Sequence, residues 1–198
     1  MKTLPETILE RSRLLPEGGV LMPKEFLNLG SRAAVDQAFS RLAKAGQLMR
    51  VSRGLYVAPI TSRFGKRAPA TEKVVSSLAS KTHEVIAVSG ARAANALGLT
   101  QQVPAREVFL TTGRSRTLQL GNAKVQIKHA PRWMLALGTT SAGEAVRALA
   151  WLGQEHACEA TAKLHKHLPY SEWQLLDSVR AQLPSWMARA IGREATCA

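Results

Sequence analysis

Arg32, Gln37, Arg41, Lys44, Arg50 and Arg53 can all hydrogen-bond to bases or phosphates, and they fall within one short stretch. Arginine presents a planar fork that matches two acceptors of guanine, and glutamine can pair in the same bidentate way with adenine. Lysine and arginine also hold phosphate oxygens. Ser31 joins the set, because its hydroxyl can cap a helix and reach a phosphate. The chemistry these residues could do together is the reading and gripping of duplex DNA. Arg32 stands one residue past Ser31, at the helix end that most easily reaches base edges, with Gln37 behind it. Arg41 and Lys44 lie further along, where phosphate is the nearer partner. Arg50 and Arg53 flank a turn and would meet the backbone or the minor groove. Asp36 lies on or near the same face and opposes phosphate. A solvated helix face with ordinary charges is the plainer account of such a run. The coincidence of a cap, an apolar stripe, a glycine stop and a basic turn favours DNA.

The elements that must position these residues are legible around them. Val35, Ala38, Phe39 and Leu42 recur at i, i+3, i+4 and i+7, one buried stripe of a helix. Ser31 starts that helix and Gly46 closes it. Residues 48–51 and 55–58 alternate as two strands, and Ser52-Arg53-Gly54 between them suits a hairpin turn needing positive φ at glycine. Upstream, Leu4, Ile8, Leu9 and Leu15 predict a helix ended by Pro16, Gly18 and Gly19. Val20 and Leu21 can form a short strand. Pro23 opens a short helix through Leu27, and Asn28-Leu29-Gly30 is a turn. Short helix, turn, basic helix, basic hairpin is the order of a winged helix-turn-helix, expected over residues 1–58.

Residues 59–70 carry prolines, a glycine and basic side chains, and read as a basic linker. Residues 71–198 read as a mixed α/β domain with a helical C-terminal part, so the fold class expected for the whole chain is α+β. Within that domain the pattern predicts a helix at 71–79, a strand at 85–90, a short helix at 91–99, a strand at 106–113 and a hairpin around Gly121-Asn122. A punctuated stretch, APRWMLALGTTSAGEA, follows. Four helices are then expected, at 141–153, 156–167, 170–182 and 184–192, with Pro169 and Pro184 at their borders.

The bulk charge agrees with a polyanionic partner. The 198 residues carry 27 Lys and Arg against 14 Asp and Glu, a formal +13. Residues 1–70 hold twelve basic and five acidic side chains, residues 71–198 fifteen and nine, so positive charge is denser per residue in the first third. Positive potential of this size attracts nucleic acid and speeds encounter. Two cysteines, Cys158 and Cys197, make no disulfide framework, as in a reducing compartment. The first residues lack the apolar run of a signal peptide, and no stretch approaches the roughly 18 apolar residues of a membrane span. A cytoplasmic protein with no membrane partner is expected.

The tract SRAAVDQAFSRLAKAGQLMRVSRGLYVAP resembles the N-terminal domain of the AbiEi-type antitoxins, including the related proteins grouped as DUF6088. VSGARAANALGL, VPAREVFLTTGRSRTLQLG and VQIKHAP extend the likeness into the start of that family's second domain, so that it covers roughly residues 5–135. The helical end matches more loosely. The resemblance implies an antitoxin of a type IV toxin–antitoxin, or abortive infection, system. Its winged helix would bind promoter inverted repeats, possible as a dimer, and repress its own operon. Its second domain would counter a nucleotidyltransferase-like toxin without forming a stable complex. A stand-alone winged-helix regulator is the alternative.

Other constellations compete with this one. Val125-Gln126-Ile127-Lys128 with Glu107 faintly matches a restriction-like nuclease pattern, but such a site needs several acidic oxygens for a hard cation, and the alternating strand accounts for Gln126 and Lys128 more simply. His156, Cys158, His165 and His167 gather near the helical end, yet His165 and His167 are two apart on a predicted helix and point in different directions. No metal, no cofactor and no enzyme activity are expected. Of the tryptophans, Trp151 sits in an apolar helix and is expected in the core, while Trp133 and Trp186 are candidates for a partner surface. Arg114 and Arg116 form a basic turn that could touch nucleic acid or an acidic partner, or simply be solvated.

Overall fold

The computed structural model of this mixed α+β chain describes residues 2–63 and 65–194; Cys197 lies outside them. Two compact units result. The first runs to Glu84 and includes Thr117–Val125, and the second holds Val85–Arg116 and the residues from Gln126 on.

The first unit is built in chain order from α1 (Leu4–Leu14), β1 (Val20–Leu21), a 3₁₀ turn at Pro23–Phe26, α2 (Arg32–Lys44), β2 (Met49–Ser52), β3 (Leu55–Val57), β4 (Ile60–Ser62), β5 (Gly65–Arg67) and α3 (Thr71–Thr82). The Thr3 backbone N–H donates to the Glu6 carboxylate at 2.7 Å, tying down the start of α1. β3 lies between β1 and β2 in an antiparallel three-stranded sheet. Ile8, Leu21, Phe26, Val35, Phe39, Leu42, Leu48 and Tyr56 form one core. Phe39 is its centre, with its ring 5.4 Å from that of Phe26 and 4.7 Å from that of Tyr56. The stripe read from the sequence is the stripe that is buried.

The segment expected to be a linker is instead a second hairpin. β4 and β5 pair antiparallel in the register Ile60↔Arg67, Thr61↔Lys66 and Ser62↔Gly65. Both faces of β5 are exposed, so no apolar alternation marks it as a strand in the sequence. The division between units also falls later than residue 70, because α3 belongs to the first. Its Ser77 Oγ accepts the Val20 N–H at 2.9 Å, Lys73 pairs with Glu17, and Lys81 pairs with Glu25 at 2.7 Å. Val74, Val75 and Leu78 are buried.

From Val85 on the chain forms β6 (Ile86–Val88), α4 (Gly90–Ala96), β7 (Glu107–Thr111), β8 (Arg116–Leu120), β9 (Ala123–His129), α5 (Arg132–Leu135), α6 (Ser141–Leu152), α7 (Ala157–His167), α8 (Tyr170–Ser178) and α9 (Ser185–Glu194). The four-stranded sheet has the order β6-β7-β9-β8, and most of β8, the turn after it and the start of β9 group with the first unit. α6 is the hub of the helical end. Ala142, Ala145, Val146 and Leu149 face Leu164, Leu176, Met187 and Ile191. Thr140 Oγ1 caps α6 by accepting the Gly143 N–H at 3.1 Å, and the Glu172 carboxylate accepts that of Ala142 at 2.7 Å. The punctuated stretch before it contains α5. The helix expected over 170–182 stops at Ser178, and a 3₁₀ turn at Arg180–Gln182 follows.

One assignment reverses. Trp151, expected in the core, is 44 % exposed, while Trp133 and Trp186 are partly buried against the helical core. Trp151 lies two residues past Leu149, about 200° around the helix from the buried stripe. Among the described residues no helix is long and apolar enough to cross a membrane.

Candidate nucleic-acid interface

α2 buries Val35, Ala38, Phe39 and Leu42 and leaves Arg32, Gln37, Arg41 and Lys44 exposed. Ser31 caps it: the backbone N–H of Ala34 donates to Ser31 Oγ at 3.3 Å. The hydroxyl is therefore engaged in the helix start, and its lone pairs and proton remain on an exposed residue. Arg32 is not bare. Its Nε donates to the Asp36 carboxylate at 2.9 Å, with the two side chains 65 % and 49 % exposed. Coulomb attraction between such solvated groups is weak, so Arg32 can leave Asp36 for a stronger acceptor at small cost.

The β2–β3 hairpin presents the next two cations. Gly54 takes φ +71° at its turn, a conformation that Cβ-bearing residues rarely adopt. This leaves exposed Arg53 at the tip. Arg50 is exposed on β2 and pairs across the ladder with Tyr56, and the register shifts between Arg50 and Ser52.

The β4–β5 hairpin adds cations that sequence reasoning placed in a linker. Lys66 Nζ donates to the Gly46 carbonyl at 2.7 Å. An ammonium there meets the unsatisfied carbonyls at the C-terminal end of α2, where the helix dipole favours positive charge. Lys66, Arg41 and Lys44 are thereby gathered at one end of the helix. Arg63 and Arg67 are exposed on the same hairpin, and Arg67 Nη1 donates to the Ala68 carbonyl at 3.3 Å. The basic composition of residues 59–70 was the available signal. Its role could not be read, because the contact to Gly46 spans twenty residues.

Arg114 and Arg116 belong to the second unit. Arg114 is exposed between β7 and β8, and Arg116 is half-buried at the start of β8. Their loop is pinned rather than loose: His129 Nδ1 hydrogen-bonds with the Gly113 carbonyl at 2.8 Å, and the His129 backbone N–H donates to Ser115 Oγ at 2.9 Å.

The remaining constellations do not assemble. His156, Cys158, His165 and His167 are all exposed, and the His165 ring packs edge-on against Trp173 at 4.6 Å. Among the described residues no three His, Cys, Asp or Glu side chains are grouped to hold a metal ion. Gln126 is half-buried and Lys128 exposed on β9, the alternation of an ordinary strand.

No curated protein and no solved structure matches the chain. A family model described as a family of unknown function, DUF6088, matches residues 7–172, from within α1 into α8, and the chain therefore belongs to the DUF6088 family.

Proposed function

We propose that the first unit is a winged helix-turn-helix that binds double-stranded DNA, and that the chain is a transcriptional repressor and antitoxin of the type IV kind its sequence resembles. The observation that carries the DNA reading is the exposed face of α2. Arg32, Gln37, Arg41 and Lys44 stand out from a helix whose other side is locked into the core, and exposed Arg50 and Arg53 follow on the next hairpin. A rigid helix with projecting fork-shaped donors fits the major groove, and a basic hairpin fits the flanking backbone. Lys66 and the exposed arginines of the β4–β5 hairpin extend the positive surface at the C-terminal end of α2. The antitoxin half of the reading rests on the resemblance of residues 5–135.

The test is titration of the purified protein against DNA from its own promoter and against random duplex, over a range of salt. Affinity should fall with a log–log slope of about −0.9 for each phosphate neutralised. Lys44→Ala or Arg53→Ala should weaken both DNAs alike and flatten the slope by about one such unit. Arg32→Ala should remove about 1–3 kcal/mol of preference for the promoter, and Gln37→Ala a smaller part of it. Binding that ignores salt ends the DNA proposal. An unchanged promoter preference in a folded Arg32→Ala protein removes α2 as the reading head. Co-expression with the product of the neighbouring gene tests the antitoxin half, and failure to protect leaves a stand-alone regulator.

A further inference from the structure

The second unit contains a cavity of about 650 Å³ that the DNA reading does not use. Ligand pockets run from roughly 300 to 1,000 Å³, so this one has the room of a small-molecule site. β7 supplies Leu110 to its wall, β9 supplies Lys128, α5 supplies Met134, α6 supplies Arg147 and Trp151, and the segment leading into β7 supplies Arg106. Three of these six are cations. None of its described lining residues is acidic.

Arg147 makes the cavity unusual. It is completely buried on α6. Its Nη1 donates to the Gly138 carbonyl at 2.7 Å, while its Nε and Nη2 are buried without a hydrogen-bond partner. Burial draws its pKa below the ordinary arginine value, against the pull of nearby Glu144. A buried guanidinium with unsatisfied N–H groups is costly to keep. An anion in the cavity lowers that cost. Arg106 and Lys128, both exposed, supply further donors. Trp151 offers a partly exposed indole, and Leu110 and Met134 an apolar wall. The combination fits a ligand that is anionic at one end and planar and apolar at the other. Cations and fork-shaped donors suit a phosphate, and an indole suits a stacked base.

We propose that the second unit binds a free nucleoside monophosphate in this cavity, with the phosphate toward Arg106, Lys128 and Arg147 and the base against Trp151. The site lies wholly within the second unit and does not rest on the DNA reading.

The test uses the full chain and calorimetric titration with AMP, GMP, CMP and UMP at low salt. At least one should bind saturably, one per chain, with Kd below about 1 mM. Inorganic phosphate and the matching nucleoside should each bind far more weakly. Lys128→Gln and Arg106→Gln remove exposed charges and keep the fold, so each should weaken the nucleotide about tenfold, the worth of one hydrogen bond to a charged group. Trp151→Leu should abolish the accompanying change in tryptophan fluorescence. Arg41→Ala, in the first unit, should change nothing and so excludes stray binding to the DNA face. No saturable binding by any of the four overturns the proposal. So does equal binding of inorganic phosphate or nucleoside, binding untouched by both Gln variants, or tight binding of a short single-stranded oligonucleotide where mononucleotides fail.

Discussion

Arg32 and Arg147 are two arginines on two helices, and they live in opposite worlds. Arg32 projects from α2 into solvent beside Asp36, and Arg147 is sealed inside α6 with two of its three nitrogens unpartnered. Water screens the first, so its pairing is weak and easily exchanged. The second has lost that water, and its surroundings are fixed by what packs on it. The difference teaches where each unit can meet a partner. In the first unit charge lies on the outside of a rigid helix, open to a large polyanion. In the second, one cation, Arg147, lies inside, out of reach of a large polyanion.

The strongest test of this contrast strikes the seam that confines Arg147. A Cβ built on Gly90, the first residue of α4, would stand 2.3 Å from the Arg147 carbonyl oxygen and 2.6 Å from Trp151 Cβ. Backbone cannot retreat as a flexible side chain can. Gly90→Ala should therefore cost about 3 kcal/mol or more, the top of the overpacking range, and should unfold the second unit first. Chemical denaturation followed by tryptophan fluorescence reports this, because all four tryptophans lie beyond residue 130. Alanine at Gln37, on the open face of α2, should stay within about 0.5 kcal/mol of the parent. Comparable losses at the two sites would mean that the α4–α6 seam is no tighter than a solvent-facing helix.

A smaller effect sharpens where the first unit ends. Lys73 of α3 donates to Glu17, and the Ala70 N–H donates to the same carboxylate at 3.4 Å. These bonds, the one from Lys73 first, hold Glu17 below the ordinary carboxylate range despite some burial. A carboxylate whose folded-state pKa is lowered adds stability above its unfolded value, and that stability is lost as pH falls through the folded value. Glu17→Gln should thus lower the urea midpoint at neutral pH. The gap from the parent should narrow as pH drops through about 4 and below, and close once Glu17 is protonated in both states. A gap that is constant with pH would place the effect in packing rather than in this tie between α3 and the turn before β1.

What the sequence disclosed and what it hid follow from the range of the interactions. α2 was legible because its cap, stripe and stop lie within sixteen residues and each acts locally. The β2–β3 turn was legible because glycine marks positive φ. The β4–β5 hairpin was hidden: it is short, exposed on both faces, and anchored by a lysine to a carbonyl twenty residues back. Arg147 was hidden because SAGEAVRALAWL reads as a helix with two charges three residues apart, Glu144 and Arg147, and the carbonyl that Arg147 bonds to lies in the loop before that helix. Trp151 was misassigned because an apolar run shows which residues are greasy and not which side of the helix they take. The candidate DNA residues could be named from sequence; the pairing of Arg32 with Asp36 had only Asp36 on the reading face as its warning.

That pairing supplies the finest test. In α2 the cation precedes the anion by four residues, the poorer order for a helix pair, and Arg32 sits at the helix end where the dipole disfavours positive charge. Helix stability therefore gives little reason for arginine at this position, whereas contact with an acceptor outside the protein gives a strong one. Asp36 is the cost of that arrangement, since its carboxylate repels phosphate while it holds Arg32 in place. Asp36→Asn keeps the shape and removes the charge. Thermal stability should shift by no more than about 0.5 kcal/mol, as for other exposed pairs along a helix. Affinity for promoter and random DNA should rise together, and the rise should shrink at high salt, where long-range repulsion is screened. If affinity for the promoter falls instead while random DNA is bound as before, Asp36 is holding Arg32 in its reading pose. The exposed pair on α2 would then be a preorganised part of the interface and not a brake on it.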